Sequence, residues 1–263
     1  MKLNSNTYFS KRSEAEFISV SQFKKFKACP ASAMACIRGE FIPRKSIALQ
    51  VGSYVDAAFE GTLDDFKANN PDMFKRDGSL KSEFERAELS IARAKKEPLF
   101  VEYMSGRKQV IMTGLIASVP VKIKIDSLCD DKIVDLKCMR DFKPIYVPGV
   151  GKQAWFESYD FDLQGAVYQE IVRQNTGKKL PFYLAAVTKE EYPDVDIVHI
   201  GDDELDIKLA EFADNVPLYD AIKKGIVEAE RCEHCDYCKQ TKKLTKPTES
   251  REYYDAIFAT EEE

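Results

Sequence analysis

Three charged residues, Asp126, Asp135 and Lys137, stand on a stretch whose other residues spell two β-strands: IKIDSLCDDKIVDLKCM, residues 123–139. Val and Ile alternate on both sides of the turn residues Asp130 and Asp131, the pattern of a hairpin. A hairpin turning there sets Asp126 opposite Asp135, and the two-residue period of a strand puts Lys137 on the same face. Opposed Cβ atoms lie about 4.5–5.5 Å apart, where two carboxylates repel unless a cation joins them or one is protonated. A hard divalent cation with oxygen ligands answers that repulsion. An ammonium one pleat away can then hold an attacking water or stabilise charge developing on phosphorus. By itself Asp-x-Lys also fits an ordinary exposed hairpin carrying an ion pair.

Two helices offer further groups. In ALQVGSYVDAAFEGTLDDFKAN (48–69) an apolar face of Val51, Tyr54, Val55, Ala58 and Phe59 is bordered by Asp56 and Glu60, four residues apart and so on one side of the helix. In YDFDLQGAVYQEIVRQNTG (159–177) Gln164 and Tyr168 have the same relation. A carboxamide and a phenol on one face can orient a lysine, a nucleobase or a phosphate through hydrogen bonds.

The elements needed to position these groups follow from the pattern. Residues 19–40 read as a helix interrupted at Pro30, and 48–69 and 82–96 as two more. The period then changes to two for strands at 108–119, 119–129 and 132–139. A helix over 159–177, a strand over 181–190 and a helix over 202–225 complete an α/β arrangement around one mixed sheet. The chain of 263 residues, 44% hydrophobic, can bury a substantial core and is expected to form a single domain, 1–263, with its core at about 48–200.

No apolar run is long enough to span a membrane and the first residues lack a secretory signal, so a cytoplasmic protein without a membrane partner is expected. A net charge of −5 gives no general attraction to nucleic acid, and a nucleic-acid partner would need local basic surface. Lys24, Lys25 and Lys27, then Arg93, Lys95 and Lys96, then Lys239, Lys242, Lys243 and Lys246 could supply it, or could be solvated faces. Seven cysteines do not form an even disulfide framework. Three of them, Cys232, Cys235 and Cys238 in RCEHCDYCK, have the tight x2, x2 spacing of ligands to one metal or cluster and want a fourth partner. Free thiols are the plain alternative.

Taken together, GSYVDAAFEG (52–61), IKIDSL with Asp126, DLK (135–137) and QGAVY (164–168) resemble, in order and spacing, the PD-(D/E)xK nuclease superfamily. The resemblance runs from about residue 20 to 240 and points to the branch of RecE-type and lambda-type phage recombination exonucleases and CRISPR-adaptation nucleases. It implies an α/β fold with a restriction-endonuclease-like core, a central mixed sheet flanked by helices, and cysteine-bearing ends at 19–40 and 228–246. It also implies hydrolysis of DNA phosphodiester bonds with Mg²⁺ or Mn²⁺ held by Asp126, Asp135 and the Leu136 carbonyl, joined by Asp56 or Glu60. Relatives often carry histidine at the place of Asp56, and carboxylate oxygen suits these ions equally.

Lys137 would position the attacking water, with Gln164 and Tyr168 supporting it or touching the strand. Trp155, Phe156 and Tyr159 could stack a base or pack in the core. The resemblance makes Cys29 the partner of Cys232, Cys235 and Cys238 in a [4Fe–4S] cluster, although the C-terminal spacing in relatives is longer; Cys36 or His234 could instead complete a zinc site. It suggests a homo-oligomeric ring and a single-strand annealing protein as partner.

Two other classes are weighed. A catalytically silent nucleic-acid-binding module with a cysteine metal centre has no need of Asp126, Asp135 and Lys137 together. A small-molecule enzyme on another α/β fold lacks a phosphate-binding glycine loop or nucleophile elbow.

Overall fold

The Val- and Ile-rich segments between 107 and 139 form three consecutive antiparallel strands: β1 (Arg107–Ile116), β2 (Val119–Leu128) and β3 (Ile133–Met139). The computed structural model describes residues 3–44, 46–247, 249–251 and 254; the acidic tail at 261–263 lies outside the described residues. After a two-stranded excursion, β4 (Ile145–Val147) with β5 (Gly151–Gln153), the sheet is completed by β6 (Phe182–Thr188) and β7 (Val195–Ile200). The order β1-β2-β3-β6-β7, with β3 and β6 parallel and the other neighbours antiparallel, makes the expected mixed sheet.

The helices in chain order are α1 (Lys11–Glu16), α2 (Val20–Ala28), α3 (Pro30–Arg38), α4 (Ile47–Glu60), α5 (Leu63–Asn69), α6 (Ser82–Lys95), α7 (Pro98–Tyr103), α8 (Trp155–Ser158), α9 (Phe161–Thr176), α10 (Asp202–Lys223) and α11 (Asp236–Gln240). Two helices read as continuous in the sequence are broken. Extended backbone at Cys29 separates α2 from α3, and Pro30 opens α3, where its missing N–H costs nothing. Gly61, at φ 81°, ends α4 in a left-handed cap that residues with a Cβ rarely adopt. Helices α1, α7, α8 and α11, the β4–β5 hairpin and the edge strand β7 are additions to the predicted order, and all are short.

Each face of the sheet buries its own apolar cluster. On one face Phe23 and Phe26 of α2, Leu163 and Ile171 of α9, and Phe212 and Val216 of α10 pack on Ile123, Ile125, Phe182 and Leu184. On the other, Val51 and Val55 of α4 and Phe84 and Ile91 of α6 cover Val134, Leu136, Ala185 and Val187. Trp155 is buried against Phe142, Phe156 and Phe161, so it belongs to the core. Lys122 is buried in β2 as well. Its ammonium donates to the Tyr8 carbonyl oxygen at 2.6 Å and to Ser13, and pairs with Glu14 at 2.6 Å, which pins the N-terminal segment to the sheet.

The α9 helix approaches the sheet at Gly165, where a Cβ would meet the Phe182 ring at 2.5 Å. Gln164 is thereby held low over β3. Gly165→Ala is expected to push α9 outward, lowering stability by about 1–3 kcal/mol in denaturant unfolding.

Candidate active site

The ladder between β2 and β3 contains Ser127↔Val134 and Leu128↔Ile133 and stops one pair short of Asp126 and Asp135. Beyond it the strands part, and Asp126 Oδ2 accepts the Leu136 amide at 2.9 Å, taking the place of a strand carbonyl. Side-chain alternation breaks here too. Ile125 packs in the α9 cluster, whereas Ser127, two residues on, donates to the Tyr103 carbonyl oxygen on the α4 side. The two aspartates therefore do not meet as a directly opposed pair on one face: Asp126 turns toward the β3 backbone while Asp135 points to α9. They remain electrostatically close. Burial first, then the charges of Asp135 and Asp56, push the Asp126 carboxyl well above its ordinary pKa.

Gln164 joins the pieces on the α9 side. Its Nε2 donates to Asp135 Oδ1 at 2.7 Å and its Oε1 accepts from the Lys137 ammonium at 3.3 Å. Lys137 is itself in ion-pair contact with Asp135 Oδ2. Burial opposes the lysine's charge, but Asp135 and Asp126 outweigh it and hold its pKa above the usual value. Tyr168, from the same helix face, is buried and donates to the Lys124 carbonyl oxygen at 2.9 Å, bracing β2 next to Asp126.

From the other face α4 brings Asp56 and Glu60 into a narrow cleft of ≈ 160 Å³ that they share with Asp126, Leu136, Phe59, Met104 and Gln109. Burial is the main reason that the Asp56 pKa rises to about 7; Asp135 and Glu60 add to the rise, and Lys137 and Lys124 oppose it. The structure thus brings Asp56, Glu60, Asp126 and Leu136 to one cleft, with Asp135 on the α9 side of the point where β2 and β3 separate.

Gln109 is the site residue that the sequence does not announce. It sits on β1 at φ 52°, between the ladder pairs Lys108↔Ser127 and Val110↔Ile125, and donates from Nε2 to Asp126 Oδ1 at 3.2 Å. A bulky residue with positive φ inside a strand is a strained conformation of the kind that collects at functional sites. Glutamine in an alternating strand pattern carries no signal of this.

These donors fit a divalent cation. Among the described residues Gln109 Oε1 is a buried acceptor without a hydrogen bond, Asp135 Oδ2 meets only the Lys137 ammonium, and three neighbouring carboxylates have that one lysine in ion-pair contact. The carboxylate oxygens surround the opening without meeting at a single point. Among the described residues the only group of three or more His, Cys, Asp or Glu ligand atoms within 4.8 Å of one another is sulfur, from Cys29, Cys232, Cys235 and Cys238.

In that second site Cys29 and Cys238 Sγ are 3.7 Å apart, and Cys232 and Cys238 Sγ 3.9 Å. The fit to a thiolate-ligated metal centre rests on this convergence and on amide donors: Cys232 accepts from the Cys235 amide, Cys235 from the Cys238 amide and Cys29 from the Ser32 amide. Bonds from neighbouring amides, that of His234 foremost, lower the Cys232 pKa to about 6, while burial raises that of Cys238 to about 12. Cys36 and His234 stand outside the tetrad, as do Cys129 and Cys138.

The match to known proteins agrees with this architecture. A family profile described as a PDDEXK-like domain of unknown function, DUF3799, matches residues 19–241, and the chain belongs to that family. A crystal structure described as a "putative exonuclease" from Eubacterium rectale superposes with a TM-score of 0.93 at 43% identity, over 96% of this chain and 98% of that one. No curated protein matches the chain.

Without a metal, the raised carboxyls make the fold a better proton binder than the unfolded chain between their ordinary pKa, 3.8 for Asp56, and its raised value of about 7. Stability of the protein in EDTA therefore falls as pH rises through this window. Thermal melts should show that fall, a flatter profile for Asp56→Asn, and a larger rise in Tm on adding Mg²⁺ at pH 8 than at pH 5. Elemental analysis of purified protein tests whether the tetrad takes up a metal: the expected outcome is metal in the unaltered protein, its loss in Cys29→Ser and Cys238→Ser, and a stability lower by several kcal/mol in both variants.

Proposed function

From its membership in a PDDEXK-like family, we propose that the protein is a Mg²⁺- or Mn²⁺-dependent deoxyribonuclease that degrades DNA from duplex ends, as in phage-type recombination. The observation that carries this reading is the Gln164 bridge, which fixes Asp135 and Lys137 in one rigid unit beside Asp126. An arrangement that merely stabilised a hairpin would have no use for an amide holding both partners of an ion pair from another element. The exonuclease direction is supported by the crystal structure that shares 43% of its sequence.

Asp126, Asp135 and the Leu136 carbonyl would hold the ion, with Asp56 and Glu60 reaching it from α4. When bound, such an ion polarises the phosphoryl oxygen and lowers the pKa of a coordinated water. Lys137 would orient the attacking water and face the charge that develops on the phosphate, and Gln164 accepts a hydrogen bond from its ammonium. Lys24, Lys108 and Lys124 add positive potential around the carboxylates, as substrate phosphates require. The tetrad of Cys29, Cys232, Cys235 and Cys238 holds a structural centre, a [4Fe–4S] cluster or zinc, that clamps the ends of one domain spanning 1–263. Action in the cytoplasm, assembly into a homo-oligomer and work beside a single-strand annealing protein belong to the same reading. Among the described residues no helix is long and apolar enough to cross a membrane.

The test is digestion of end-labelled linear duplex and closed circular DNA with Mg²⁺ or Mn²⁺, beside EDTA and Lys137→Ala. Loss of linear DNA alone, abolished in both controls and by at least about a hundredfold in Lys137→Ala, supports the exonuclease. Cutting of the circle points to an endonuclease, and DNA binding without cleavage under any metal to the silent module.

A further inference from the structure

Of the three lysines that α2 presents near the site, two are accounted for. Lys27 pairs with Asp160 at 3.3 Å and Glu211 at 2.8 Å, and Lys25 is exposed on the cavity lined by Phe9 and Cys36. Lys24 is different. Its ammonium donates to the Tyr159 carbonyl oxygen at 2.6 Å, and among the described residues no carboxylate lies within ion-pair distance of it. It stands 5.1 Å from the centre of the Phe161 ring, and the Lys137 ammonium stands 4.4 Å from the centre of the same ring.

Two cations on one ring, one of them without an ion pair, leave room for an anion to join them. Burial, with Lys137 second, lowers the Lys24 pKa to about 8, and Asp160, Asp135 and Asp162 oppose the fall from beyond ion-pair distance. The anion available at such a site is a phosphate of the strand that reaches Lys137. The same ring carries a platform for a base. Tyr159 stacks on Phe161 with centroids 5.7 Å apart and planes 22° from parallel, and it is 49% exposed. Asp160 between them, at φ 50°, makes the kink that sets both rings together, and Lys27 holds that kink to α2.

We propose that Lys24, Tyr159 and Phe161 form a nucleotide subsite beside the candidate catalytic lysine. The free face of Tyr159 stacks a base next to the bond being cut, and Lys24 binds the phosphate adjoining that base. Phe161 is the shared support that keeps this subsite in register with Lys137. The proposal rests on the nuclease reading and adds to it the residues that seat the strand.

The experiment uses the full chain, with binding measured by fluorescence anisotropy of a labelled oligonucleotide in EDTA at several salt concentrations. Lys24→Met should weaken binding about tenfold and reduce the salt slope by about 1, while Lys24→Arg retains both. Tyr159→Ala should weaken binding about tenfold and abolish quenching of 2-aminopurine placed at the strand end, and Tyr159→Phe should restore both. In cleavage, Lys24→Met and Tyr159→Ala should raise KM and leave kcat within about threefold. Wild-type affinity, salt slope and quenching in the Met and Ala variants of a protein that binds and cuts DNA would overturn the subsite and leave the nuclease reading intact. Failure of the wild-type protein to bind DNA would overturn the nuclease reading and the subsite with it. Loss of binding in Lys24→Arg and Tyr159→Phe as well, with unchanged melting, would also overturn it, since packing and not ligand contact would then be the cause.

Discussion

A side-chain carboxylate standing in for a strand carbonyl is the feature on which the rest of the structure turns. Asp126 takes the Leu136 amide at the point where β2 and β3 would otherwise continue their ladder. That single bond satisfies a buried backbone donor that the parting strands would leave orphaned. It also fixes one carboxylate against the backbone next to a second one, so the sheet can open without losing its edge. Every other element of the site is arranged around that opening.

The opening is entered from both faces. From one, α9 lowers Gln164 onto Asp135 and Lys137 because Gly165 lets the helix come within contact of Phe182. From the other, α4 sets Asp56 and Glu60 at the cleft, seated by Val51, Tyr54 and Val55 in the apolar cluster beneath. The site is thus built on regular elements packed on two independent cores, which gives it a precision that loops would not. The concentration of negative charge that results, which raises the Asp126 and Asp56 pKa values together with burial, is offset by Lys137 and by the hydrogen bonds of Leu136 and Gln109.

Much of this was legible in the chain. The strands from 107 to 139 and the turn at Asp130–Asp131 follow from alternation, and the i, i+4 pairs named the helix faces that supply Asp56, Glu60, Gln164 and Tyr168. The cysteine spacing pointed to a shared centre, and the structure brings Cys29 to it across the whole fold. What could not be read was local departure from regularity. The loss of alternation between Ile125 and Ser127, the left-handed Gln109 and the seat of Lys24 beside Phe161 depend on where neighbouring elements settle, and a periodic pattern carries no information about its own exceptions. Tertiary packing also divided the helix at 19–40, where Cys29 leaves the helical conformation and its sulfur turns to the other cysteines.

The cysteine tetrad has a bearing on when the protein becomes whole. Cys29 and Cys238 are separated by 209 residues of chain, and three of the four sulfurs lie in the segment 232–238. During synthesis the N-terminal ligand waits, alone, until nearly all the sheet and its helices have been made. Closure of so long a loop removes much of the freedom of the unfolded chain, on the order of 5 kcal/mol for a permanent cross-link of this span. A truncated product that ends before Cys238 would carry Asp126, Asp135, Lys137 and the α9 helix, with α2 and α3 seated by Phe23, Phe26 and Met34 in the core, and would lack one sulfur of the tetrad. Convergence of the four sulfurs thus joins the start of α3 to the C-terminal segment only after residue 238 has been added.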